Sequence, residues 1–174
     1  MTEGRFEKAL ARSRPTGRDL AIHLDHLCTV RGMQSDAAWA RSVAQLAARA
    51  GRSRDGLDGR ERRMGMEIGY GSIRRRRTLE WCISAAAGRP MESIDALAMC
   101  ILRTATYQLM FMTRVPAHSV VSEAVDAAKR FTHSGIASFV NAVLRKISTP
   151  GFDPRYPAPG TDIVKHLAVT LSYP

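Results

Sequence analysis

RVPAHSVVSEAVDAAKRFTHSGIASFVNAVLRKI, residues Arg114–Ile147, lays out two helices with different jobs in one short span. Pro116 forbids helix through itself and pushes Val115 towards extended geometry, so a new helix must start just beyond it. Ser119 is placed to cap that helix, because its hydroxyl can accept from a free amide of the first turn. Val121, Ala124, Val125 and Ala128 then recur at helical spacing, and Lys129 and Arg130 close the last turn, where cations suit the helix dipole. Gly135 punctuates. Beyond it Ile136, Phe139, Val140, Val143, Leu144 and Ile147 form a stripe at i, i+3, i+4, i+7, i+8 and i+11.

Working outward, the same period dominates. Asp19 to Val30 puts Leu20, Leu24, Leu27 and Cys28 on one helix face. Ser35 and Asp36 can start a second helix, with Trp39, Val43, Leu46, Ala47 and Ala50 as its stripe and Gly51 as its stop. Asp58-Gly-Arg-Glu61 has capping-box spacing, with Asp in place of Ser or Thr. The helix that follows carries Met64, Ile68 and Ile73, with Gly65, Gly69 and Gly71 along it. Each of those glycines costs about 1 kcal/mol in an isolated helix, so close helix-to-helix approach is the expected return. Leu79, Trp81, Cys82 and Ile83 lead to a break at Gly88-Arg-Pro90, and Ser93 is read as the cap of a long apolar helix. That helix contains Leu97, Ile101, Leu102, Ala105, Tyr107, Leu109, Phe111 and Met112, with Tyr107 and Phe111 assigned to the core. No segment alternates with period two, so the fold expected is all-α.

Residues 1–16 are polar and basic and read as a flexible arm. After Ile147, Pro150, Pro154, Pro157 and Pro159 with Gly151 and Gly160 mark a linker, and residues 161–171 have room for one more short helix. The chain has 174 residues, 45% of them apolar, enough for one ordinary core. No run approaches the ~18 apolar residues of a membrane span, and the N-terminus lacks the apolar stretch of a signal peptide. A soluble, cytoplasmic protein without membrane association is expected. Cys28, Cys82 and Cys100 lie in apolar stripes and read as small buried hydrophobes.

Charge is the informative quantity. Net charge is +10, and residues 1–90 hold 18 of the 26 Lys and Arg against 10 of the 16 Asp and Glu, a net of +8. Asymmetry of this size argues for an anionic partner on the N-terminal half, most simply nucleic acid. The strongest signal is the run Arg74, Arg75, Arg76 and Arg77, which either meets RNA phosphate or forms a solvated face partly paired to Glu80 or Glu67. Arg60, Arg62 and Arg63 repeat the theme, and Arg5, Lys8, Arg12 and Arg14 extend it into the arm. Tyr70 either stacks on a base or packs between helices. Asn141, in an apolar stripe, reads as a buried hydrogen-bonding residue.

Catalytic chemistry is not visible. Gly69-Tyr-Gly71 lies in a helical pattern with no strand before it, which is wrong for a cofactor loop, and no Pro-Cys pair occurs. His23 and His26 share a helix face without an acidic or thiol partner at metal spacing and are assigned to an exposed surface, while His118 caps or packs near the turn after Pro116. No catalytic, cofactor or metal residues are assigned.

Four segments together resemble the NusB family: the opening stretch, Asp58-Gly-Arg-Glu-Arg-Arg63, Tyr70-Gly-Ser-Ile-Arg-Arg-Arg-Arg-Thr-Leu-Glu-Trp81 and Arg103-Thr-Ala-Thr-Tyr-Gln-Leu-Met-Phe-Met112. More narrowly, they resemble the NusB-like N-terminal domain of RsmB-type small-subunit rRNA cytosine-C5 methyltransferases. The resemblance spans residues 17–148 and touches Ser172-Tyr-Pro174; Ser122 stands where the family usually has Asn. It implies a NusB-like bundle with a helical set at about 19–87 packed on another at about 93–147. Residues 149–174 would then be a Pro-rich linker and the start of a downstream methyltransferase domain, and S-adenosylmethionine would belong to that domain alone. Engagement of rRNA by the basic half is the implied function. Two rivals stay open: a free-standing antitermination factor that binds RNA and a ribosomal protein, and a protein-interaction module without RNA binding.

Overall fold

Eight α-helices and no strand occur among residues 16–49, 58–160 and 162–172, the residues that the computed structural model describes. In chain order they are α1 (Gly17–Thr29), α2 (Ser35–Arg49), α3 (Gly59–Arg74), α4 (Arg76–Ala87), α5 (Ala96–Phe111), α6 (Ala117–Phe131), α7 (Ser134–Ile147) and α8 (Ile163–Thr170). The basic arm, and Ala50 and Gly51 at the expected end of the second helix, lie outside the described residues.

The long apolar helix α5 is the shared wall. Leu97 through Thr106 are buried without interruption, so it has no wet face along its middle. It packs on α1 and α3 on one side and on α4, α6 and α7 on another. The main core gathers Leu20, Ile83, Leu102, Phe131, Val140 and Leu144 around it. A smaller cluster of Leu24, Leu27 and Ala38, with Trp39, Tyr70 and Ile73 against it, closes the α1–α2–α3 corner.

The α3 glycines do what their cost implied. A Cβ on Gly65 would lie 2.7 Å from the Gly17 carbonyl oxygen, and one on Gly69 would lie 2.6 Å from Leu24 Cδ2. Backbones of α1 and α3 therefore meet almost directly. That approach redirects Glu61: its carboxylate accepts the Gly17 amide of α1 at 2.5 Å rather than closing a capping box with Asp58. Asp58 still caps α3 through the Arg60 amide. Helix α1 begins earlier than Asp19, because Thr16 and Asp19 form a reciprocal capping box.

Other helix starts also differ from the sequence reading. Asp95, not Ser93, caps α5, accepting from the Leu97 and Ala98 amides at 3.0 Å each; Ser93 ends a 3-10 turn. Ser119 sits inside the first turn of α6, which begins directly behind Pro116 with no side-chain cap. Gly135 lies within α7, and the break before it falls at Thr132 and His133. His23 is buried, not exposed, because it faces inward from the middle of an almost wholly buried α1. Asn141 is only half-buried, lining a shallow groove between α6 and α7 beside His118, which is exposed, and Ser122.

The proline-rich stretch folds back onto α4. Trp81 Nε1 donates to the Pro154 carbonyl at 3.0 Å, the Tyr156 hydroxyl lies 3.1 Å from Cys82 Sγ, and Thr78 Oγ1 donates to the Val169 carbonyl of α8 at 2.5 Å. Burial is the largest factor pushing both the Cys82 thiol and the Tyr156 hydroxyl up. Ile163, Val164 and Leu167 of α8, and Leu171 just beyond it, are exposed.

Two core substitutions separate on these grounds. Leu102 is fully buried, so Leu102→Ala should cost about 2–5 kcal/mol through cavity formation. Phe139 is half-buried with the Arg89 guanidinium 4.1 Å from its ring centroid, so Phe139→Ala should cost clearly less. Urea midpoints at constant m measure both; equal losses would contradict this ranking.

Candidate nucleic-acid interface

Four consecutive arginines are good helix formers, yet the chain breaks among them. Helix α3 ends at Arg74, and Arg75, at φ −99° and ψ 17°, turns the chain into α4, which starts at Arg76. The break gives each side chain a different role. Arg76 Nε donates to Glu80 Oε1 at 2.8 Å. Arg75 is half-buried, its guanidinium 5.4 Å from the centroid of the Phe111 ring. Arg74 and Arg77 are exposed, and neither makes an ion pair among the described residues.

Arg60, Arg62 and Arg63 are exposed on the first turns of α3. Arg63, Glu67, Tyr70 and Arg74 follow one another at i, i+4, i+7 and i+11 and so share a face. Of the residues named from the sequence, the fold thus brings the Arg74–Arg77 junction and the α3 cations onto one helix and its end. Arg5, Lys8, Arg12 and Arg14 lie outside the described residues.

Tyr70 is tied down. Its hydroxyl donates to Asp36 Oδ1 at 2.9 Å, and its ring centroid is 6.0 Å from that of Trp39. Burial and then the Asp36 carboxylate push the phenol up. Phe111, by contrast, was assigned to the core and is 40% exposed, because α5 ends there and its last turn emerges from the bundle.

Beneath the junction lies a charged network that the sequence reading missed. Arg103, buried, donates through Nε and Nη2 to Asp25, the closest contact 2.6 Å, through Nη2 to Thr29 Oγ1 at 2.8 Å, and through Nη1 to Glu80 Oε1 at 2.9 Å. Burial alone pulls the Arg103 pKa down, but Asp25 leads the negative partners that more than offset it and leave it raised. Burial also pushes the neighbouring Cys100 thiol well up. The signal was present: Arg103 is the single charge in the 16-residue α5, and a lone charge in an apolar helix needs a partner. Glu80 Oε1 serves both Arg103 and Arg76, so this network holds the junction in place.

A second polar cluster lines a cleft of about 370 Å³ between α1, α5 and α6. Arg18 meets Glu123 at 2.5 Å and Gln108 at 2.8 Å, and Arg130 meets Asp19 at 2.8 Å. Burial lifts the Glu123 carboxyl despite Arg18. Its carboxylates make this cleft a poor seat for phosphate. No group of three or more His, Cys, Asp or Glu side chains is placed to hold a metal ion among the described residues. Nor is any described helix long and apolar enough to cross a membrane.

The NusB family model matches residues 17–149. The chain belongs to the NusB family. Among its curated relatives are proteins named as methyltransferases or putative methyltransferases, and the match covers their N-terminal portion. The Mycobacterium tuberculosis (strain CDC 1551 / Oshkosh) protein named "Putative methyltransferase MT1451" is 37% identical over 154 residues, 84% of this chain and 32% of that protein. The Bacillus subtilis (strain 168) protein named "Probable ribosomal RNA small subunit methyltransferase B" is 33% identical over 108 residues, 62% of this chain and 24% of that protein. The chain thus spans about a third or less of the length of these relatives, and no catalytic domain is evident in the matched region. Among solved structures, a protein chain in the crystal structure of a plectonemic RNA supercoil matches with a TM-score of 0.65 at 17% identity, covering 82% of this chain and 94% of that one. The crystal structure of PH0851 matches with a TM-score of 0.62 at 16% identity, covering 90% and 32% respectively. Both likenesses concern the fold of this NusB-family chain.

Proposed function

We propose that this NusB-family domain binds RNA through the α3–α4 junction and serves an rRNA cytosine-C5 methyltransferase, holding rRNA while another part of the protein performs the chemistry. One observation carries the RNA contact: Arg74, Arg75 and Arg77 cluster at a helix break with no carboxylate paired to them among the described residues, while Arg76 is held by Glu80. Arg60, Arg62 and Arg63 extend the cationic surface along α3. The methyltransferase setting is supported by the relatives, whose names describe that activity. S-adenosylmethionine fits elsewhere in such a protein, because Gly69 and Gly71 lack side chains to admit Leu24 and Tyr107. A cytoplasmic setting accords with rRNA as the partner.

Replacing Arg74, Arg75 and Arg77 together with Gln should weaken single-stranded RNA binding almost uniformly across sequences. Each lost phosphate contact removes about 0.7 from the slope of log K against log salt, so the slope should flatten by about 2. Melting temperature should change little, since exposed charges such as Arg74 and Arg77 contribute about 0–1 kcal/mol and the half-buried Arg75 adds a cation–π contact of about 0.5–1 kcal/mol. Parent-like affinity with an unchanged slope would overturn the assignment. For the wider reading, exchanging this chain for the matching portion of the Bacillus subtilis relative should preserve small-subunit rRNA methylation, and the triple Gln variant should reduce it.

A further inference from the structure

We propose that Phe111, with the Arg75 guanidinium against it, is a stacking platform for an unpaired nucleobase, set among the phosphate-binding cations of the α3–α4 junction. The proposal rests on the RNA-binding reading above and names a residue that reads base faces rather than backbone charge.

The platform is built by two facing pairs of residues, each one helical turn apart. Gly71 of α3 is followed by Arg75 just past the end of that helix; on α5, Tyr107 is followed by Phe111. A Cβ on Gly71 would lie 2.1 Å from Tyr107 Cζ, so the missing side chain is what lets the tyrosine ring sit against α3. One turn further along, Phe111 meets Arg75. The two rings of α5 lie 5.3 Å apart at 32°, and the guanidinium stands 5.4 Å from the Phe111 centroid, within reach of a cation–π contact.

A single exposed apolar side chain is ordinary on a protein surface. Phe111 is distinguished by its chemistry and its neighbours. The exposed large hydrophobics among the described residues are Val30, Met66, Phe111, Ile163, Val164, Leu167 and Leu171, and only Phe111 is aromatic. It sits where the densest cationic run of the chain breaks, with Arg74 and Arg77 exposed beside Arg75 in sequence. A flat aromatic face, a guanidinium plane and adjacent cations together match an unstacked nucleotide: the base meets the planes and the phosphates meet the charges. Tyr70, on the same face of α3 as Arg63 and Arg74, is half-buried and held by Asp36 and Trp39, whereas Phe111 is 40% exposed.

Phe111→Leu keeps apolar bulk and removes the π face; Phe111→Tyr keeps the face; Arg75→Lys keeps the charge and removes the plane. Affinity for a short single-stranded RNA should fall about tenfold in Phe111→Leu and measurably in Arg75→Lys, with the salt slope preserved in both, and stay near the parent in Phe111→Tyr. An abasic scan of the same RNA should show a position where base loss weakens the parent but not Phe111→Leu. Melting curves confirm that the variants are folded. If Phe111→Leu binds like the parent, or the abasic scan is flat in the parent, the stacking site is wrong while RNA binding stands. If the parent shows no salt-dependent RNA binding, both readings fail.

Discussion

Arg103→Met should destabilise the domain by about 3–5 kcal/mol, the largest loss expected of any single charge removal here. Asp25 is fully buried and its oxygens accept from Arg103 Nε and Nη2. Methionine matches much of the arginine's length but supplies no donor, so a carboxylate would be left in the core without its cation. Glu80 would be hurt less, since it is closer to solvent and retains Arg76. The penalty belongs to the unpaired charge rather than to the pair itself, because desolvation offsets most of the attraction in a buried ion pair. The double variant Asp25→Leu/Arg103→Met should therefore recover much of the loss. Urea unfolding of the parent, the single and the double variant measures this. A single variant within about 1 kcal/mol of the parent would show that the network is not coupled to stability.

That network also shows where a sequence stops being readable. The apolar stripes of α6 and α7 repeat with helical period over a whole element, so Ala124, Ala128, Val140 and Leu144 were assigned inward and are buried. Gly65, Gly69 and Gly71 of α3 were legible for a related reason: inside a helix they carry a penalty that only close packing returns, and Gly17, Leu24 and Tyr107 are found against them. Partners distant in sequence were not legible. Nothing near Glu61 tells that it will cap a helix 44 residues away, and nothing near Arg103 names Asp25, 78 residues away. The break at Arg75 had no local signal either, because arginine favours helix and only the seating of α4 against α5, α7 and α8 redirects the chain. Phe111 was misassigned because α5 is apolar on every side. Periodicity in such a helix marks burial but cannot show at which turn the end leaves the core. The cationic run itself was plain, whereas its division into a paired Arg76, a stacked Arg75 and exposed Arg74 and Arg77 required the fold.

Gly17→Ala should be among the most disruptive single-methyl additions to this chain. A Cβ there would lie 2.2 Å from the Glu61 carbonyl oxygen and 3.1 Å from the Gly65 amide nitrogen, and both are backbone atoms of α3. A flexible side chain could step aside; two helix backbones can relieve the overlap only by separating. Separation would also stretch the 2.5 Å contact between the Gly17 amide and the Glu61 carboxylate and loosen Leu24 from the Gly69 surface. Overpacking typically costs about 1–3 kcal/mol, and backbone contact on this scale places Gly17→Ala at or above the top of that range. Gly59→Ala is the matched control. It lies in the first turn of α3, its added Cβ would meet only Arg63 Nη1 at 3.8 Å, and alanine is the better helix former by up to about 1 kcal/mol. The two substitutions change the chain by the same atoms and should move the urea midpoint in opposite directions, or leave Gly59→Ala unchanged while Gly17→Ala falls. Equal, small effects at both sites would mean that α1 and α3 do not meet backbone to backbone, and the close approach that accounts for the α3 glycines would have to be given up.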